Sequence, residues 1–311
     1  MSDVNETKFK FTVFLLSGIP GQESNFLWIS IPFCLMYIVS IVGNSGILFI
    51  VKTDPSLHEP MYIFLSTLAI TDLGLSIVTL PTIMGILWFN SREISPNACF
   101  AQLFFIHSLQ CIESSVLLVM AFDRFIAISN PLRYTSILTL PRTVGMALLC
   151  VLRGAAITLP LPFLVQRFPY WRKNILSHSY CLHQEVMKMA SADITVNNIY
   201  GLCVVLLTMG TDSFLIFLSY VMILKTVLNV TSRKECLTAL NTCVSHLCAV
   251  LLFYIPFVGV AVIPRFGNSS SLTLQISMGY VYMFLPPVIN PIVYSVKSKQ
   301  LRARIIRAFA K

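Results

Sequence analysis

The chain has 311 residues, 56% of them hydrophobic and only 11% charged, with a net charge of +9. Mean hydropathy is +0.78 and the isoelectric point is near 9.2. A soluble domain of this size needs far more charged surface, so the composition excludes a water-exposed globular fold. The basic balance does not call for a nucleic-acid partner, because its residues sit in short connections and the tail, where a membrane surface accounts for them.

In chain order, residues 1–26 lack the basic stretch, short apolar core and small-residue site of a cleaved leader, so the first span is expected to be its own anchor. Apolar runs then recur at about 27–51, 61–88, 98–128, 142–164, 197–228, 238–262 and 272–296. Each supplies the roughly 20 residues that cross a ~30 Å hydrocarbon core. The expectation is an all-α membrane protein, one seven-helix domain over 1–311 with spans in 27–296. With the N-terminus outside, the inner side holds 13 basic and 4 acidic residues and the outer side 8 and 6. That asymmetry predicts a multi-pass plasma-membrane protein with residues 1–26 extracellular. Asn5, in Asn5-Glu6-Thr7, is then a glycosylation site on the outer side.

The connections are short except for 165–196, long enough to form a lid. Pro160 and Pro162, Pro256 and Pro264, and Pro286, Pro287 and Pro291 are expected to interrupt helices 4, 6 and 7. No internal duplication is visible, which argues against a transporter. Residues 297–311 alternate basic residues with Leu301, Ile305, Ile306 and Phe309, as in a short amphipathic helix lying on anionic lipid.

Nine cysteines cannot all pair. Six lie in spans, while Cys99 at the start of span 3 and Cys181 in the long loop face the oxidising side; their disulfide would pin the loop across the helix mouth. No catalytic motif is present, so no enzyme activity is expected. His178-Ser179-Tyr180-Cys181-Leu182-His183 has metal-binding residue types, but a bonded Cys181 is no ligand, and no structural metal is expected.

Charged groups at membrane depth are costly and mark functional positions: Asp72, Glu113, Arg153 and Asp212 lie in spans. Asp123-Arg124 ends span 3 and Asn290-Pro291-Ile292-Val293-Tyr294 lies near the end of span 7. Arg153 and Asp212 read as structural pairs without an assigned role.

Together with Gly43-Asn44, Leu57 to Tyr62, Met120 to Phe125, Ser219-Tyr220, Ala239 to His246 and Pro287 to Tyr294, these motifs resemble the olfactory receptors, over about residues 15–305. Gly18 to Gly21, His178 to Gln184 and Arg265-Phe266-Gly267 further resemble the class I, or fish-like, branch. The resemblance implies a rhodopsin-like seven-helix receptor. It would bind a small odorant in the outer half of the bundle and activate a heterotrimeric G protein of the stimulatory olfactory type, raising cyclic AMP. Arg124 would be a switch held by Asp123 and released toward Tyr220, with Tyr254 and Tyr294 moving near Pro256 and Pro291. Asp72 and Glu113, with Asn44 and Asn290 nearby, would hold a sodium ion; a protonated Glu113 bonded to Asp72 is the competing reading.

For the ligand, the resemblance points to Arg265 as a carboxylate anchor, with His107, Gln184, Ala261 and Phe257 beside it. Trp171 and Ser191 stand where the branch commonly carries two further cysteines, and Pro264 directly precedes the arginine. The rival readings are a metabolite-sensing receptor of the same fold and, from another class, a transporter or channel.

Overall fold

A computed structural model of the chain describes residues 12–19, 21–168, 173–228, 233–266 and 272–309, with side chains for all of these except 23, 233–242, 261–266, 272–273, 297, 299 and 306–309. Asn5 and Trp171 lie outside the described residues.

Seven helices are long and apolar enough to cross a membrane. They are helix 1 (Phe26–Thr53), helix 2 (Pro60–Phe89), helix 3 (Pro96–Ser129), helix 4 (Leu140–Gln166), helix 5 (Thr195–Leu228), helix 6 (Arg233–Phe266) and helix 7 (Leu272–Lys297). Their outer faces carry exposed apolar side chains such as Leu27, Phe49, Leu152 and Phe217, while Asp72, Glu113, Asp123 and Asn290 are buried. This arrangement suits a hydrocarbon solvent. Helix 3 is the central element: 67% of its most apolar window is buried, against 28% for helix 1.

Local sequence explains the ends. Asp54 accepts from Ser56 N–H at 3.0 Å to turn the chain between helices 1 and 2, and Pro60 opens helix 2 where an amide hydrogen is not needed. Ser95 caps helix 3 by accepting from Ala98 N–H at 3.3 Å. Gly43 packs against Pro291: a Cβ there would lie 2.9 Å from the proline Cβ, so the close approach of helices 1 and 7 requires glycine. A Cβ on Gly154 would lie 2.5 Å from Ile112 Cγ1, so helix 4 also crosses helix 3 at a glycine.

The prolines act less uniformly than expected. Helix 4 is broken at Leu159, between Leu140–Thr158 and Pro160–Gln166. Helix 6, in contrast, is one helix through Pro256 and Pro264, and helix 7 continues through Pro286, Pro287 and Pro291. In a bundle the missing hydrogen bond is tolerated by local adjustment and neighbouring groups, so proline bends a spanning helix without ending it. Helix 5 carries a π-helical turn at Leu206–Gly210 that no proline signals.

At one end, the lid end, strands β1 (Phe14–Leu16), β2 (Glu93–Ile94) and β3 (Ile175–Leu176) form a sheet of order β2-β1-β3. β1 is antiparallel to β2, pairing Phe14 with Ile94, and parallel to β3, pairing Leu15 with Ile175. Strands this short show no alternation in sequence, and the sheet was not expected. Cys99 and Cys181 are joined, and Cys181 N–H donates to Gln102 Oε1 at 2.9 Å. The Gln102 amide in turn donates to Val78 O and Thr82 Oγ1, each at 3.0 Å. The long loop is thereby tied to helices 2 and 3, with a short lid helix (His183–Met189) beneath it.

At the opposite, tail end, a helix (Lys299–Phe309) follows helix 7. Its apolar face is not left for lipid alone: Leu301 is fully buried and Ile305 packs on the cluster around Ile50 and Leu57. Arg304 Nε pairs with Asp54 at 2.7 Å, so part of the basic face grips the first connection.

Arg153 and Asp212 form an ion pair at 2.8 Å between helices 4 and 5. Asp212 is 2% exposed and also accepts from Ser114 Oγ at 2.9 Å, and Ser114 shares a 2.8 Å bond with Tyr254 Oη. Arg153 Nη2 donates to Leu207 O within the π turn at 2.9 Å. Helices 3, 4 and 5 thus meet on one carboxylate, and helix 6 joins through Ser114. Asp212→Asn or Arg153→Ala leaves a charge without its partner, expected to cost about 3 kcal/mol. The pair replaced by Met and Leu should melt higher than either single variant, as thermal unfolding of detergent-solubilised protein would read.

Candidate ligand cavity and polar switch

A cavity of about 110 Å³ opens beneath the lid among helices 3 to 7. Three of the five residues named for the ligand line it: His107 from helix 3, Gln184 from the lid helix and Phe257 from helix 6. Arg265 and Ala261 belong to helix 6, but their side chains lie outside those described. Val260, directly before Ala261, also lines the cavity.

The disulfide and the lid helix fix the roof. His183 N–H donates to His107 Nε2 at 3.3 Å, and the two rings stand 6.5 Å apart, edge to face. Burial pushes the His183 imidazole down to about 3, with His107 beside it adding to the effect, so His183 is neutral. Further out, burial lowers His178 as well. Burial alone would raise Glu185; the Lys188 ammonium bonded to it at 2.7 Å, with His178 nearby, brings its carboxyl below the usual range.

The roof also rests on helix 7: Ser179 and Tyr280 hydroxyls are bonded, and a Cβ on Gly279 would meet Tyr180 Oη at 2.9 Å. No Asp, Glu, Lys or Arg is among the described residues that line the cavity. His183 and Tyr282, both lining it, were not singled out from sequence for this role, because neither belongs to a motif that marks a pocket.

Deeper in the bundle, Asn290 joins the two acids. Its amide donates to Asp72 Oδ2 at 3.1 Å and to Glu113 Oε1 at 3.4 Å. Asp72 Oδ1 is buried with no hydrogen-bond partner among the described residues. Asn44 is placed differently from the expectation: its amide donates to Ser40 O and Pro287 O, each at 3.0 Å, stitching helix 1 to helix 7. A side-chain amide that saturates the backbone next to a proline has no hydrogen left for the carboxyls.

Toward the tail end, Arg124 is paired with Asp123, whose other oxygen accepts from Tyr134 Oη at 2.7 Å. Tyr134 lies in the connection after helix 3, and burial, then the Asp123 charge it bonds, pushes its phenol well above the usual range. Tyr220 is bonded elsewhere: its hydroxyl meets His246 Nδ1 at 2.8 Å, and the rings stack 5.9 Å apart. His246 Nε2 lies 2.9 Å from Leu117 O. Because a carbonyl only accepts, Nε2 carries the proton and Nδ1 accepts from Tyr220. His246 was visible in sequence only as part of the Ala239–His246 stretch. Tyr294 Oη contacts Met120 Sδ at 3.9 Å, and both residues are buried. Arg124 and Tyr220 are therefore each held by a different partner.

Residues 33–311 match the sequence model of the family described as Olfactory receptor. The chain is 59% identical to human olfactory receptor 51G2 over 305 residues, covering 98% of this chain and 97% of that protein. It is 55% identical to human olfactory receptor 51G1, covering 95% and 92%, and 48% identical to human olfactory receptor 51E1, covering 99% and 97%. Among solved structures, squid rhodopsin superposes with a TM-score of 0.75 at 17% identity, covering 94% of this chain and 82% of that one, a likeness of fold. With seven spans, a disulfide-anchored lid and a family match over nearly its whole length, the chain belongs to the olfactory receptors, a family of G-protein-coupled receptors and not of enzymes.

Proposed function

We propose that this chain is a plasma-membrane odorant receptor, N-terminus outside, that binds a small odorant under the lid and activates a heterotrimeric G protein of the stimulatory olfactory type at the tail end. The observation that carries the reading is a lidded, mainly apolar cavity in the same bundle as an Arg124–Asp123 pair and a separately held Tyr220. A ligand that favours the arrangement in which Arg124 and Tyr220 exchange partners shifts the population toward the G-protein-binding state. The tail helix lies against anionic lipid with whatever basic surface the Arg304–Asp54 pair leaves. Asn5 carries glycan on the outer side.

Cavity size limits the ligand. A 150 Å³ cavity holds benzene, so 110 Å³ suits about six heavy atoms or fewer. At a ceiling of ~1.5 kcal/mol per atom, and with real sites well short of it, micromolar or weaker affinity follows.

Arg265 is the proposed anchor if the odorant is a carboxylic acid. It lies one turn beyond Ala261, on the helix that brings Phe257 and Val260 to the cavity. Cells expressing the chain should raise cyclic AMP in response to short aliphatic acids, and Arg265→Ala should weaken the acid response about tenfold or more while sparing the matching alcohols. An acid response unchanged in the variant would remove the arginine from the site.

Asp72 and Glu113 suit a sodium ion that favours the resting state, with Asp72 Oδ1 an acceptor open to it; a proton shared by the two carboxyls is the competing reading. In membranes, replacing sodium with a bulky organic cation should raise agonist potency several-fold for wild type and leave Asp72→Asn unchanged. Sodium-independent potency in wild type would favour the proton.

A further inference from the structure

The cavity holds polar groups that its own walls leave without partners. Gln110, His183 and Tyr282 line it and are 5%, 3% and 7% exposed. Gln110 Nε2, His183 Nε2 and Tyr282 Oη have no hydrogen-bond partner among the described residues. Buried polar atoms are nearly always bonded, so three such exceptions around one small space call for a cause. Gln102, two turns earlier on helix 3, shows the contrast, since its amide is fully engaged by Val78, Thr82 and Cys181.

Position separates two of these groups from the roof. Gln110 lies three residues past His107, about 4.5 Å further along helix 3 and away from the lid. Tyr282 lies on helix 7, its ring 5.7 Å from Phe253 and 5.8 Å from Phe257. Neither belongs to the Arg265, His107 and Gln184 set. An amide and a phenol are uncharged donors that also accept. A charged head group moved to this depth would lose its hydration without a countercharge among the described lining residues, whereas a neutral oxygen gains partners at no such cost.

We propose that Gln110 and Tyr282 form a deep polar subsite that takes the uncharged oxygen of a small aliphatic ketone or alcohol. The subsite rests on the reading of this cavity as the ligand site. A ketone oxygen accepts from both donors. An alcohol accepts from one and donates to the other. His183 closes the opposite end as a neutral imidazole.

The test uses full-length receptor in lipid nanodiscs without G protein, with binding read as ligand-dependent thermal stabilisation. The probes are pentan-2-one and 2-methylpent-1-ene, each with six heavy atoms and differing in C=O against C=CH₂. Wild type should bind the ketone about tenfold more tightly than the alkene, as one or two neutral hydrogen bonds in a dry site provide. Gln110→Met and Tyr282→Phe should each pull the ratio toward one. Neither should lower the melting temperature of the ligand-free receptor, because the groups removed hold nothing in it. Equal affinities in wild type, a ratio unchanged in both variants, or ligand-free variants that melt several degrees lower would each overturn the subsite. Binding is read here without signalling, so the two readings fail separately: ketone-selective binding, with no cyclic AMP response to any bound ligand in cells expressing the receptor at their surface, would overturn the proposed stimulatory coupling and leave the subsite standing.

Discussion

In hydrocarbon, a polar group that finds no partner inside the protein finds none at all, and this constraint organises the bundle around helix 3. Gln102 ties it to helix 2 and the lid, Ser114 to helices 5 and 6, and Glu113 to helix 7 through Asn290. Many large apolar side chains, among them Leu27, Phe49, Leu152 and Phe217, face outward, where hydrocarbon gives them no drive to bury. Packing and interhelical hydrogen bonds take over as the specific terms, which is why the helices approach at Gly43 and Gly154.

The same constraint separates structure from function. Arg153 and Asp212 bond each other and share three further partners, Ser114, Ser115 and Leu207 O, with Tyr254 joined through Ser114, so they read as a clasp on helices 3, 4, 5 and 6. The π turn in helix 5 belongs to that clasp, offering Leu207 O to the guanidinium. Among the described residues, buried side-chain atoms that lack partners lie elsewhere: Asp72 Oδ1 at the acid site, His178 Nδ1 in the lid, and atoms of Gln110, His183 and Tyr282 around the cavity.

The two ends differ in what holds them. A disulfide, a three-stranded sheet and the Ser179–Tyr280 bond tie the roof to helices 3 and 7 and to the segment before helix 1. The tail end is held by the packed tail helix with its Arg304–Asp54 pair and by polar pairs, Asp123 with Arg124 and Tyr134, and Tyr220 with His246. Under the proposed function, a ligand beneath the roof would act by biasing these pairs.

The seven spans, the buried charges and the Cys99–Cys181 pair were legible in the sequence, because length, hydropathy and the cost of charge in lipid are properties of the chain alone. Motif spacing also carried the family and, through it, His107, Gln184 and Phe257. What the sequence could not decide is which polar groups meet. Asn44 and Asn290 look alike in the chain, yet one turns to the helix 7 backbone and the other to two carboxyls. The His246 bonds to Tyr220 and Leu117, and the sheet joining Phe14–Leu16 to Ile175–Leu176, likewise exist only through contacts between distant segments. A hydrogen bond depends on position to a fraction of an ångström, and only the packed bundle sets that position.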